Sequence, residues 1–161
     1  LGKPMKKLSW QEIEELSQSL GEKVCRSGFV PDCCIGIASG GLIPLYLISK
    51  ELGVDCVLTI TASSYERHEQ KEIKIINLPE LDLAGKNILL IDEVAETGAT
   101  LREVSTLVKD KYKVAELRTA TIGVNKEKCI FRPDFVVLEE NDWIVFPWEK
   151  KDFPEYFSLE S

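Results

Sequence analysis

An apolar run that ends abruptly in carboxylates restricts this chain to few architectures. Residues 88–101 read Ile-Leu-Leu-Ile-Asp-Glu-Val-Ala-Glu-Thr-Gly-Ala-Thr-Leu. A continuous apolar stretch behind the turn Ala84-Gly85-Lys86 predicts a strand over 87–91 that is buried on both faces, as strands of parallel sheets are. Leu101, Val104, Leu107 and Val108 then recur at helical spacing, so a helix follows from Leu101. The same order occurs earlier: Cys33 to Ala38 runs into Ser39-Gly40-Gly41, and a helix from Leu42 carries Pro44 in its first turn and stops at Gly53. Further strands over 55–61, 115–124 and 135–138 continue the alternation. An opening helix with the capping box Ser9-Trp10-Gln11-Glu12 ends at Gly28. The pattern predicts an α/β fold, a parallel sheet with helices on both faces and its ligand at the C-terminal ends of the strands. Residues 62–86 are polar and turn-rich and predict a long excursion with little core. The aromatic segment from Trp143 to Phe157 breaks the alternation and reads as a small C-terminal hood.

The turn after Ile91 carries chemistry. Three acids (Asp92, Glu93 and Glu96) share it with Thr97, Gly98, Ala99 and Thr100. Small residues ahead of a helix leave backbone N–H groups unpaired and set the positive end of the helix dipole toward an anion. Carboxylates beside such a cradle suit sugar hydroxyls and Mg²⁺, so the ligand expected is a phosphorylated sugar with a metal. Ser39-Gly40-Gly41 is either a second anion nest or a plain tight connection. It matches neither the Walker loop nor the dinucleotide Gly-x-Gly-x-x-Gly pattern.

Composition narrows the partners. A chain of 161 residues fits one domain over 1–161. No apolar run approaches the length of a membrane span, and Leu1 to Met5 is too short and polar for a signal peptide. A formal charge of −7 opposes a nucleic-acid partner held by a basic surface. It also means that a polyanionic substrate must be held by local amides, a few Lys or Arg and Mg²⁺. Five cysteines show no metal-ligand spacing, and one histidine makes a zinc site improbable. Four of the cysteines stand in apolar surroundings as small buried hydrophobes, in keeping with a cytoplasmic, reducing compartment.

Residues 88–101 closely resemble the PRPP-binding motif of type I phosphoribosyltransferases, and three further segments resemble the purine, xanthine–guanine branch of that family in the same order. The resemblance implies that Asp92 and Glu93 face the ribose hydroxyls and the metal, with Glu93 the nearer to Mg²⁺. It implies that Glu96, Thr97, Gly98, Ala99 and Thr100 cradle the 5′-phosphate, and that Ser39, Gly40 and Gly41 form the pyrophosphate loop. Ser64 and Tyr65, within 62–86, are similar to the Ser-Tyr pair of the family's mobile lid, with Lys71 on the PRPP phosphates. A solvated polar loop fits those residues equally well. Within the hood and tail (125–161), Trp143 corresponds to the residue that stacks on the purine, and the backbone at Ile144 reads the purine edge. Trp148 is assigned to packing.

Three positions depart from the family pattern. Ser39 stands where Arg is usual, which removes a charge and a bidentate fork. Glu96 stands for an Asp near the purine imidazole, where it handles a proton. Asn125 occupies the place of a lysine that donates to the 6-oxo group, unless a one-residue shift lets Lys126 restore the ammonium. The resemblance implies purine salvage, the transfer of a phosphoribosyl group from PRPP to a 6-oxopurine with release of pyrophosphate, by a homodimer or homotetramer. The departures keep two alternatives open: a weakened PRPP- or nucleotide-binding regulator, and a transferase for a different acceptor.

Overall fold

The computed structural model describes residues 4–67 and 70–157. The tip of the expected lid (68–69) and the end of the tail (158–161) lie outside the described residues. Among the described residues, eight strands and three α-helices follow in the order β1 (Met5–Lys7), α1 (Trp10–Ser27), β2 (Cys33–Ala38), α2 (Leu42–Leu52), β3 (Val57–Arg67), β4 (Gln70–Ile76), β5 (Asn87–Ala95), α3 (Ala99–Tyr112), β6 (Glu116–Asn125), β7 (Phe135–Glu140) and β8 (Trp143–Val145). Two short 3₁₀ turns, Pro147–Glu149 and Pro154–Tyr156, close the described chain.

Six strands form one sheet in the order β4-β3-β2-β5-β6-β7, parallel except for the β3–β4 pair. Because successive residues of a strand face opposite sides, each strand divides its apolar residues between two cores. Cys34, Leu89, Ile91, Ala120 and Ile122 turn toward Ile13, Leu20 and Val24 of α1 and Leu45 and Ile48 of α2. Cys33, Ile35, Ile37, Ile88 and Leu90 turn toward Leu101, Val104, Val108 and Tyr112 of α3. Helices therefore cover both faces, as the alternation predicts. Each fully buried Leu or Ile contributes roughly 1.5–3 kcal/mol relative to exposure, so the central strands anchor everything that projects from them.

Helix α1 starts as read: Ser9 Oγ accepts from Glu12 N and the Glu12 side chain accepts from Ser9 N, and Gly28 closes the helix in the left-handed region. Three expectations are corrected. The excursion after Thr61 is a hairpin in which β3 continues to Arg67 and pairs antiparallel with β4. The side chains of 62–65 and 71–76 are exposed or half-buried, so those residues carry little of the burial that marks a strand. Strand β5 does not stop at Ile91 but runs through both acids to Ala95. The hood is not purely C-terminal: β1 pairs parallel with β8, and Leu8 N donates to Val145 O at 2.9 Å. Four of the five cysteines stand in apolar surroundings as read: Cys33 and Cys34 are buried in the two cores, Cys56 and Cys129 pack half-buried against one of them, and Cys25 is exposed. A disulfide joins Cys33 to Cys56 across adjacent strands.

Candidate active site

Strand β2 leads through α2 to one side of the sheet, and β5 leads through α3 to the other. The crevice between their C-terminal ends is thus a topological switch point, where α/β sheets bind ligands. Pairing of β5 with β2 ends at Gly36–Ile91, whereas pairing with β6 continues to Ala95–Val124. Asp92 is therefore paired on the β6 side alone, and Glu93 follows it past the end of the β2 pairing.

Both helices that begin at this crevice have a glycine N-cap, Gly41 for α2 and Gly98 for α3, and neither has a side-chain cap. Arg102 N closes the first turn of α3 on Gly98 O, and Ala99 N leans on Thr97 Oγ1 at 3.2 Å. The amides of Thr100 and Leu101 precede the first helical bond, so they are available to an anion. Residues 94–101 and Asp92 line this cradle. Behind it, Ile130 N and Phe131 N both donate to Thr97 O, at 3.0 and 3.3 Å. Gly98 sits against that support with φ +84°, and a Cβ there would lie 2.2 Å from Phe131 O. Gly98→Ala is expected to cost about 1–2 kcal/mol from the left-handed backbone alone, with the carbonyl overlap adding to it. A denaturant titration reads the stability loss, and calorimetry should show binding of a phosphorylated ligand at this cradle abolished.

The carboxyl pair is partly engaged. Asp92 Oδ1 accepts from Glu93 N at 2.8 Å, and Glu93 Oε2 accepts from Trp148 Nε1 at 2.8 Å. One oxygen of each side chain is left for a ligand. Burial pushes Asp92 up to about 8, with the Glu93 charge adding and the Glu93 amide opposing. Burial likewise pushes Glu93 up to about 7, opposed by the Trp148 hydrogen bond and reinforced by the Glu149 charge. Glu149 is itself raised by burial. Two carboxyls whose ionisation is disfavoured in this way suit a cation that compensates them. Ser39, Gly40, Leu42, Ile43, Glu93, Trp148, Glu149 and Asp152 line one cleft, which joins the Ser39–Gly41 loop to the acids. The Ala38–Ser39 peptide in this loop is cis.

Trp148 is therefore more than packing. It stacks on Phe146 at 4.7 Å between centroids and contacts Trp10 at 6.0 Å, which aims its N–H at an acid 55 residues away. A Phe-Pro-Trp segment near aromatic neighbours reads as core, and only the fold brings it to Glu93.

Other expected residues lie farther out. Ser64 and Tyr65 on β3 and Lys71 on β4 stand beyond Thr61, the last β3 residue paired with β2. Tyr65 Oη donates to Glu72 Oε2 at 2.7 Å. Among the described residues, no hydrogen bond or ion pair joins these three to the loops at 39–41 or 92–100. Trp143 is 44% exposed on β8, whereas the Ile144 side chain is buried over Gly123. Asn125 is buried and gives its side chain to Glu96 and to the backbone of its own turn and of the hood. Lys126 is exposed, and the ammonium brought to Glu96 is that of Lys128, with Nζ 3.6 Å from Oε1.

An amide-lined helix start and a Gly-Gly turn beside an acid pair at a sheet switch point define an α/β domain suited to a phosphorylated, hydroxyl-bearing ligand. The family model described as phosphoribosyl transferase domain matches residues 6–152. The chain belongs to the phosphoribosyltransferase family. It is 31% identical to the xanthine-guanine phosphoribosyltransferase of Cereibacter sphaeroides over 151 residues, covering 88% of this chain and 85% of that one. The purine phosphoribosyltransferase of Pyrococcus horikoshii superposes with a TM-score of 0.80 at 32% identity, covering 89% of this chain and 93% of that one. The xanthine-guanine-hypoxanthine phosphoribosyltransferase of Helicobacter pylori gives a TM-score of 0.82 at 25% identity, covering 96% and 99%. Among the described residues, no helix is long and apolar enough to cross a membrane.

Proposed function

We propose that the crevice transfers the 5-phosphoribosyl group of PRPP to a 6-oxopurine (xanthine, guanine or hypoxanthine) and releases pyrophosphate, a purine-salvage reaction. One observation carries this reading: the free oxygens of Asp92 and Glu93, the uncapped start of α3 and the Ser39-Gly40-Gly41 turn converge on one crevice. The 5′-phosphate would take the amides of 97–101, the ribose hydroxyls the two acids, and the pyrophosphate the Ser39-Gly40-Gly41 loop. The names of the relatives supply the class of base.

The donor set fits Mg²⁺, which binds through one or two carboxylates with water and substrate phosphates completing its shell. Asp92 and Glu93 would hold it, and once bound it neutralises charge on the leaving pyrophosphate. Glu96 would exchange a proton with the base. Trp143 offers an exposed ring for stacking, and the Ile144 backbone would read the purine edge. The β3–β4 hairpin would act as the lid, bringing Ser64, Tyr65 and Lys71 over the reaction centre and excluding water. The protein would work as a cytoplasmic homodimer or homotetramer.

A coupled assay of PRPP with guanine, xanthine, hypoxanthine and adenine tests the reading, with turnover expected for 6-oxopurines. The uncharged Ser39 and the fully engaged Asn125 favour one rival, a PRPP-binding regulator. No turnover with any base, alongside calorimetric binding of PRPP, would establish that rival. Turnover confined to adenine would establish a different acceptor.

A further inference from the structure

Asn125 ends β6 and is 3% exposed. Its Oδ1 accepts from Glu127 N at 3.0 Å and from Lys128 N at 2.9 Å. Its Nδ2 donates to Glu96 Oε1 at 3.1 Å and to the Asn141 carbonyl at 3.3 Å. A carboxamide has two donors and two acceptor sites, so this side chain is fully committed within the protein. Two of the bonds fold the turn that carries Lys128 to Glu96. The other two join parts far apart in sequence: the acid that opens the phosphate loop, and the backbone two residues ahead of Trp143 in the hood.

We propose that Asn125 is a positioning residue, which fixes the Glu96 carboxyl in register with the hood and does not itself contact the base. This inference rests on the phosphoribosyl-transfer reading. Glu96 is 30% exposed at its side chain and has three torsions to lose, so without support its carboxyl samples many positions. The Asn125 amide and the Lys128 ammonium both hold Oε1, and a hydrogen bond to an ionised acceptor is about twice as strong as a neutral one. Oε2 takes no hydrogen bond from the described residues and is free for a proton. The longer acid at this position thereby acquires a fixed location.

Asn125→Asp isolates the two donors. It keeps an acceptor for the amides of Glu127 and Lys128 and sets a second carboxylate oxygen against Glu96 and the Asn141 carbonyl. The expected result is a fall in kcat with guanine of about ten-fold or more, while KM for PRPP stays within about three-fold. In a Glu96→Gln background, the new carboxylate accepts from the glutamine amide, so adding Asn125→Asp should change kcat less than about two-fold. That non-additivity is the signature of coupled neighbours. A purely structural role predicts the same loss in both backgrounds, and that result, or no loss in either, overturns the proposal. Calorimetric dissociation constants of GMP for the four proteins carry the same cycle without turnover. Wild-type protein that binds GMP but turns over no base would therefore refute the transferase reading while the GMP cycle still decides the role of Asn125. Should Asn125→Asp alone fail to fold, recovery of the fold in the double variant supports the coupling, and failure of both variants overturns it.

Discussion

Lowering the pH from about 8.5 to about 6 is expected to weaken binding of Mg²⁺ and PRPP together by roughly 10²- to 10³-fold. The sign follows from the two acids. Asp92 stands near 8 and Glu93 near 7 in the free protein, both raised chiefly by burial. A cation shared with a phosphorylated sugar requires the ionised forms. Below 7 the free protein therefore holds two protons that the complex must expel, and affinity climbs with pH until both are gone. Calorimetry in buffers of different ionisation enthalpy should record protons released on binding near pH 6.5 and few near pH 9. Stability of the free protein runs the opposite way. The fold favours the neutral acids, so their contribution is complete below the unfolded values near 4 and is lost as the pH rises through 7 and 8. The thermal midpoint of the free protein should fall over that window and be restored by the bound ligands. A midpoint that rises with pH there, or affinity independent of pH, would contradict this account.

Gly40→Ala should abolish most activity while sparing the fold. A Cβ at Gly40 would lie 2.4 Å from Glu93 Oε1 and 2.5 Å from its Cδ. These atoms end a flexible side chain, so the clash is relieved when Glu93 swings away. The movement breaks the Trp148 hydrogen bond and withdraws one of the two acids from the crevice. A misplacement of about 1 Å at a reacting centre costs on the order of 10²-fold, and a loss of that size in kcat/KM is expected with a thermal midpoint near wild type. Gly98→Ala presents the opposite balance, because its added methyl meets backbone that cannot yield. If Gly40→Ala unfolds the protein or leaves kcat/KM intact, Glu93 does not occupy the working position assigned to it.

Much of this arrangement is legible along the chain, for a local reason. The phosphate loop, the acids and the Gly-Gly turn each lie within a few residues of a strand end, so apolar periodicity and small-residue turns locate them directly. The extent of β5 is hidden in the sequence, because Asp92 and Glu93 look like the end of an apolar run although β6 pairing carries the strand to Ala95. The β3–β4 hairpin is obscure for lack of burial, since its pairing is satisfied by backbone hydrogen bonds while both faces stay largely open. β1 contributes three residues to a sheet whose other strand lies some 138 positions away in register, Met5 opposite Trp143. Trp148 and Asn125 act on acids 55 and 29 residues distant. Such contacts leave no periodic trace, and only the folded topology brings them together.

The indole of Trp148 also makes the carboxylate optically addressable. Its N–H rests on Glu93 while its ring lies on Phe146, so protonation or ligation of that acid changes the electric field along the chromophore. Trp10 and Trp143 are the other two indoles of the chain, both substantially exposed. Replacing those two with Phe leaves a single indole, excited selectively over the four tyrosines, whose wavelength and quantum yield report the ionisation of Glu93 and its occupation during a titration or a stopped-flow mixing. The protein thus carries its own probe of the step on which its chemistry depends, with no label attached.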